Sequence, residues 1–210
     1  MNFFHFLSQN HEQVLELTAE HLWLVGISTL LAVLVGIPLG IVSARWPAWN
    51  KPVLGAANII QTIPSLALFG FLLPVPWLGD RADRLAILAL TLYALLPIIR
   101  NTYTGIRGVD PAVVEAGRGM GLTDGQLLFQ VELPLAMSVI LSGVRVAVVV
   151  SVGLATIAAA IGAGGLGEFI FRGLAMVNNQ LILAGAIPAA LLALSADFGL
   201  GWLERRLRPQ

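Results

Sequence analysis

The chain has 210 residues, 57% of them hydrophobic and only 11% Asp, Glu, Lys or Arg, with a mean hydropathy of +0.85. A soluble domain of this size carries roughly 25% of those four residues on its surface, so most of the outer face here must meet lipid. Formal net charge is zero, which gives no electrostatic case for nucleic acid. The absence of cysteine excludes disulfides, thiolate metal sites and cysteine nucleophiles.

The first residues, Met1 to His21, carry Glu12, Glu16 and Glu20 but no Lys or Arg, so no cleaved signal peptide is expected. His5, His11 and His21 lack a metal-ligand spacing with carboxylates, and no metal site is expected. Uncharged runs then mark the spans, because ~20 apolar residues are needed to cross the hydrocarbon as a helix. The whole chain reads as one transmembrane domain, 1–210, with spans at about 22–44, 53–78, 85–104, 135–161 and 180–202. The second span is the most polar, with Gln61, Thr62 and Ser65 gathered around Pro64. A proline inside a span frees a backbone carbonyl, which at membrane depth must find protein or water. The third span continues past Arg100 if that side chain snorkels.

Between spans three and four, the stretch 108–134 is written as two helices. Asp110 before Pro111 is an N-cap followed by a proline at the first helical position. Gly121 suits the helix end, where a left-handed residue is wanted. Thr123 and Gln126 have the spacing of a capping box. Leu127, Leu128 and Val131 follow on one side, and Pro134 marks the next boundary. The alternative is a helical extension of the flanking spans that serves no partner. The fourth span contains Arg145 and the fifth Asp197, the only charges well inside spans. Three readings stand for them: an ion pair between the spans, snorkelling of Arg145, and a solute contact. Gly162 to Gly167 lies between, without the Lys-Ser/Thr of a phosphate-binding loop. It reads as a tight turn feeding an amphipathic piece, Glu168 to Met176. Trp23, Trp46, Trp49, Trp77 and Trp202 sit at span ends as interfacial anchors.

Lys and Arg set the orientation. Arg45, Lys51, Arg100, Arg107, Arg118, Arg205, Arg206 and Arg208 fall on one side, against Arg81, Arg84 and Arg172 on the other. The N-terminus is therefore expected outside and the C-terminus in the cytoplasm.

Glu115-Ala116-Gly117, Gly121 and Val131-Glu132-Leu133-Pro134 resemble the EAA motif of ABC-importer permeases, with every spacing met. Gly117 for the second Ala and Val131 for Ile are the departures. Asn58 to Leu68, Arg100 to Gly105 and Gly162 to Gly167 are similar to osmoprotectant permeases, those importing glycine betaine, choline or carnitine. The resemblance implies an all-α membrane protein of about five spans with a cytoplasmic coupling hairpin, the MetI-like type I importer permease. It also implies a multi-pass protein of the bacterial inner membrane. In that family the hairpin docks in a groove of a cytoplasmic ATPase, and Leu127, Leu128 and Val131 are expected to face that groove. The implied partners are that ATPase, a second permease subunit (a copy or a paralogue) and an extracytoplasmic substrate-binding protein. ATP and Mg would be used by the ATPase, with no cofactor on this chain. Gln61, Thr62, Pro64 and Ser65 then either line the translocation path or form a kink whose hydroxyls repair the hydrogen bonding. An amino-acid importer is the alternative within the class. An ion-coupled transporter would favour several intramembrane carboxylates and internal repeats. An intramembrane enzyme would need a catalytic constellation, and none is written here.

Overall fold

A computed structural model describes residues 9–207. Met1 to Ser8, with His5, and Arg208 to Gln210 lie outside the described residues. Regular structure among the described residues is helical throughout. The helices are α1 (His11–Arg45), α2 (Pro47–Thr62), α3 (Ser65–Leu72), α4 (Ala82–Arg107), α5 (Pro111–Gly119), α6 (Asp124–Leu127), α7 (Leu133–Ala158), α8 (Gly167–Ala175) and α9 (Asn179–Arg206). A π turn (Leu128–Glu132) joins α6 to α7, and a short 3-10 turn (Ala159–Ile161) ends α7.

Four segments are long and apolar enough to cross a membrane unaided: α1, α4, the run through α7, and α9. The fifth crossing expected at 53–78 is not straight. α2 and α3 meet at a 99° bend, with Ile63 and Pro64 in extended conformations between them. Pro64 lacks the N–H that would continue the helix, and the residue before a proline is pushed out of the α region. α2 starts beside the end of α4, where Asn50 donates to the Tyr103 hydroxyl at 3.0 Å. α3 ends near the start of α4, packing Leu68 and Phe69 among Leu85, Ala86 and Leu90. The pair thus makes one broken passage between the two ends of the bundle. α1 contains the span expected at 22–44 and begins earlier, at His11.

Small residues decide how closely the helices approach. Along α1, Ala32, Gly36, Gly40 and Ala44 recur every fourth position and are buried. A Cβ on Gly40 would fall 2.5 Å from Thr102 Cβ and 3.0 Å from the Ile99 carbonyl on α4. On α7, a Cβ on Gly143 would fall 2.7 Å from the Pro97 carbonyl. With lipid outside and no water to expel, helix pairs of this kind are held by close van der Waals packing, which glycine permits. α4 is accordingly the central helix, with α1 on one side, α7 on another and α2 along a third.

Candidate functional site

The hairpin formed by α5 and α6 projects from one end of this bundle, and local chemistry builds it. Asp110 Oδ1 accepts from the Ala112 N–H at 2.9 Å, and Pro111 opens the helix. At the other end of α5, the Gly121 N–H donates to Arg118 O at 2.9 Å and the Leu122 N–H to Gly117 O at 3.2 Å. That pair of bonds is a Schellman cap, and it requires Gly121 at its observed φ of +86°. Thr123 and Gln126 then form the reciprocal capping box expected of them, opening α6. Gly117 is buried, and a Cβ there would meet Leu122 Cδ1 at 3.3 Å and Leu127 Cδ2 at 3.5 Å. Glycine in place of the motif's second alanine therefore leaves room for these two leucines.

The direction of the second helix corrects the expectation. Leu127 is fully buried against its own chain. Leu128 and Leu133 pack on Ala44, Ile106, Ala136 and Ile140 at the bundle's end, and Val131 is half-buried. Leu127 and Leu128 thus turn toward the protein's own core instead of facing outward, while Val131 is only half-buried. α5 and its cap expose Ala112, Val113, Glu115, Ala116 and Met120, and Phe129 of the π turn is exposed as well. Val113, Ala116 and Met120 follow at helical spacing on one face. The π turn explains how the chain passes into α7, because Pro134 cannot donate and its ring needs a widened turn.

Ion pairs that the sequence pattern did not point to fasten this end. Arg45, the last residue of α1, places Nη2 2.7 Å from Glu132 Oε2. The same nitrogen donates to the Asp124 carbonyl at 3.1 Å. Arg118 lies 3.6 Å from the Asp124 carboxylate. A cleft of about 370 Å³ opens between Arg45, Arg107, Val114, Glu115, Arg118 and Glu132.

The polar group of the broken helix lies at its bend. Gln61, Thr62 and Pro64 are exposed and Ser65 is half-buried. Thr62 Oγ1 donates to Ile59 O at 2.7 Å, repairing the end of α2. The Ile63 carbonyl, left over by the break, accepts from the Tyr93 hydroxyl on α4. Arg145 meets Asp197 through two bonds, Nε to Oδ1 at 2.6 Å and Nη2 to Oδ2 at 2.8 Å. Glu204 adds a third contact at 3.4 Å. Gly201 makes the space, since a Cβ there would fall 2.9 Å from Arg145 Nη1.

At the opposite end the glycine loop turns through left-handed residues at Gly162, Gly164 and Gly165. Its neighbours come from α1. Glu20 Oε2 accepts from the Gly165 N–H at 2.9 Å, and buried His21 donates from Nε2 to the Val152 carbonyl at 3.2 Å. Among the described residues, no three His, Asp or Glu side chains come together as metal ligands. The five tryptophans are exposed, and apart from Trp46 and Trp49, one turn from each other, they are far apart along the chain.

A helical bundle of up to five crossings, with a capped hairpin at one end, has the architecture of a multi-pass membrane protein. Residues 36–209 match the family described as "Binding-protein-dependent transport system inner membrane component", and the chain belongs to that family. The chain is 45% identical over 205 residues to the "Carnitine transport permease protein OpuCB" of Listeria monocytogenes, covering 98% of this chain and 93% of that one. It is 48% identical over 205 residues to the "Glycine betaine/carnitine/choline transport system permease protein OpuCD" of Bacillus subtilis, covering 97% and 88%. The "Osmoprotectant import permease protein OsmW" of Salmonella typhimurium is 43% identical over 210 residues, covering 99% and 96%. Among solved structures, an inward-facing form of the MetNI methionine ABC transporter matches with a TM-score of 0.81 at 23% identity, over 90% of this chain and 93% of that one. An amino acid ABC transporter with histidines matches at 0.74 and 20%, over 98% and 99%. These last two speak for the fold alone. Membership makes the chain a permease subunit of an ABC importer and not an enzyme. The family works with an ATPase, a second permease and a substrate-binding protein.

Proposed function

We propose that this chain is the permease of an ATP-driven importer for quaternary-ammonium compatible solutes, the class of glycine betaine, choline and carnitine. The observation that carries this is likeness over almost the entire chain to permeases named for those solutes. The excess of Lys and Arg at the hairpin end supports an N-terminus outside and a C-terminus in the cytoplasm. The hairpin then meets the ATPase through the exposed face of α5, with Ala112, Val113, Ala116 and Met120 as its apolar contacts and Glu115 beside them. ATP and Mg bind to the ATPase partner, because this chain has no phosphate-binding loop.

A second copy or a close paralogue completes the pore. Five crossings hardly enclose a path for a solute of this size while keeping every backbone group satisfied. The exposed Gln61, Thr62 and Pro64 on the broken helix support its facing that shared path. First capture of the cation is left to the binding protein, where an aromatic cage would hold the quaternary ammonium group.

The test is uptake by a host lacking its own osmoprotectant importers. The permease is expressed with its ATPase and binding protein and offered labelled glycine betaine, choline, carnitine, methionine and histidine. Uptake of at least one quaternary amine, competed by the others and not by the amino acids, is expected. Uptake of methionine or histidine alone would overturn the substrate class while leaving the transport role.

A further inference from the structure

We propose that α1 is the rod that carries movement of the hairpin to the glycine loop at the opposite end of the bundle, with Arg45 and Glu20 as its positioning residues. This rests on the reading of the hairpin as the ATPase-facing element.

At the hairpin end, one guanidinium holds two separate points. Arg45 Nη2 binds the Glu132 carboxylate at 2.7 Å and the Asp124 carbonyl at 3.1 Å. Asp124 is the first residue of α6 and Glu132 the last of the π turn. The hairpin cannot slide against α1 without breaking both bonds. The Glu132 side chain is only 10% exposed, so water does little to replace the lost partner.

The far end is held as closely. Glu20 accepts from the Gly165 N–H, and a Cβ on Gly164 would fall 2.4 Å from Glu20 Oε2. A Cβ on Gly165 would fall 3.2 Å from His21 Nδ1. The loop is thus moulded around one turn of α1 and leads directly into α8. From Glu20 to Arg45 the helix rises about 37 Å at ~1.5 Å per residue. Pro38 removes one N–H, yet the helix runs through it unbroken. Close packing at Gly36 and Gly40 makes α1 and α4 a single stiff body. α4 also runs between the ends and moves with α1 as part of that body; α7 leads into the glycine loop directly, but the π turn stands at its base. A widened turn with weaker hydrogen-bond geometry yields before a regular helix does.

The absence of native cysteine makes the test direct. In the transporter assembled with its ATPase, spin labels are placed through Gly125→Cys on the hairpin, exposed and with open space around an added side chain, or through Met176→Cys beside α8. Each is measured against Leu203→Cys with and without trapped nucleotide. Both distances are expected to shift in the unaltered background. With Arg45→Gln or Glu20→Met, the Gly125 distance still shifts, the Met176 shift is lost, and solute moved per ATP falls about tenfold. Exchange of the pair, Arg45→Glu with Glu132→Arg, restores part of the Met176 shift. Glu20→Met lies far from the hairpin and so tests the rod even where loss of Arg45 disturbs hairpin folding. A Met176 distance that responds normally in both single variants overturns the proposal. A Gly125 distance that ignores nucleotide in the unaltered assembly defeats the hairpin reading, and the rod with it.

Discussion

Gly121 sits in open space at φ +86°, with no neighbour within 4 Å of where a Cβ would be. Any effect of replacing it is therefore a backbone effect, free of steric clash. A β-branched residue resists this conformation, at about 1–2 kcal/mol, whereas asparagine tolerates it better. Gly121→Val is expected to open the Schellman cap, swing α5 and abolish uptake, while membrane insertion stays normal. Gly121→Asn is expected to retain most uptake. Uptake and ATPase pull-down, measured together, separate these outcomes, and normal transport by Gly121→Val would remove the hairpin from the coupling role. A second residue-scale expectation concerns Arg145. Asp197→Asn leaves its guanidinium with Glu204 and should lower the unfolding temperature in detergent. Arg145→Asp with Asp197→Arg should recover part of the loss. A double variant no better than the sum of the single ones would show that the two residues act independently.

Between elements, glycine placement separates packing from propensity. Gly40→Leu drives a side chain into Thr102 and the Ile99 carbonyl, and overpacking of this kind costs about 1–3 kcal/mol or more. Gly26 lies in the same helix with nothing within 4 Å. Gly26→Ala should be neutral or stabilising by up to about 1 kcal/mol. Thermal unfolding of both variants in one detergent makes the comparison, and equal effects would contradict the packing account of α1 on α4. At the break between α2 and α3, Tyr93→Phe removes the donor to the Ile63 carbonyl. An unsatisfied buried group costs about 1–3 kcal/mol, so the bend should loosen and uptake fall with little change in ATPase binding. Unchanged uptake kinetics would mean that the bend needs no support from α4.

Across the whole molecule, what could be read from the sequence was local. Asp110, Gly121, Thr123 and Gln126 act on backbone groups within a few residues, so their spacing carries the information. The Schellman cap and capping box stand where that spacing put them. Pro64 signalled an interruption, but the 99° turn depends on Tyr93 and on α3 packing against α4, which lie outside the local pattern. The inward turn of Leu127 and Leu128 was hidden for a similar reason. An apolar side of a short helix suits a partner's groove as well as the chain's own bundle. The anchors of α1 were beyond reach, because Arg45 and Glu132 are 87 positions apart and Glu20 and Gly165 are 145 apart.

Scale also fixes the decisive experiment, since no single variant tests the transport assignment as directly as transport itself. The permease is reconstituted into proteoliposomes with its ATPase, its binding protein and labelled glycine betaine, choline or carnitine, with ATP and Mg on the ATPase side. The account predicts solute accumulation against its gradient that requires ATP, requires all the subunits, and survives collapse of ion gradients by ionophores. The permease alone should neither hydrolyse ATP nor concentrate solute. Accumulation that proceeds without ATP, or that vanishes with the ion gradient while ATP remains, would contradict it.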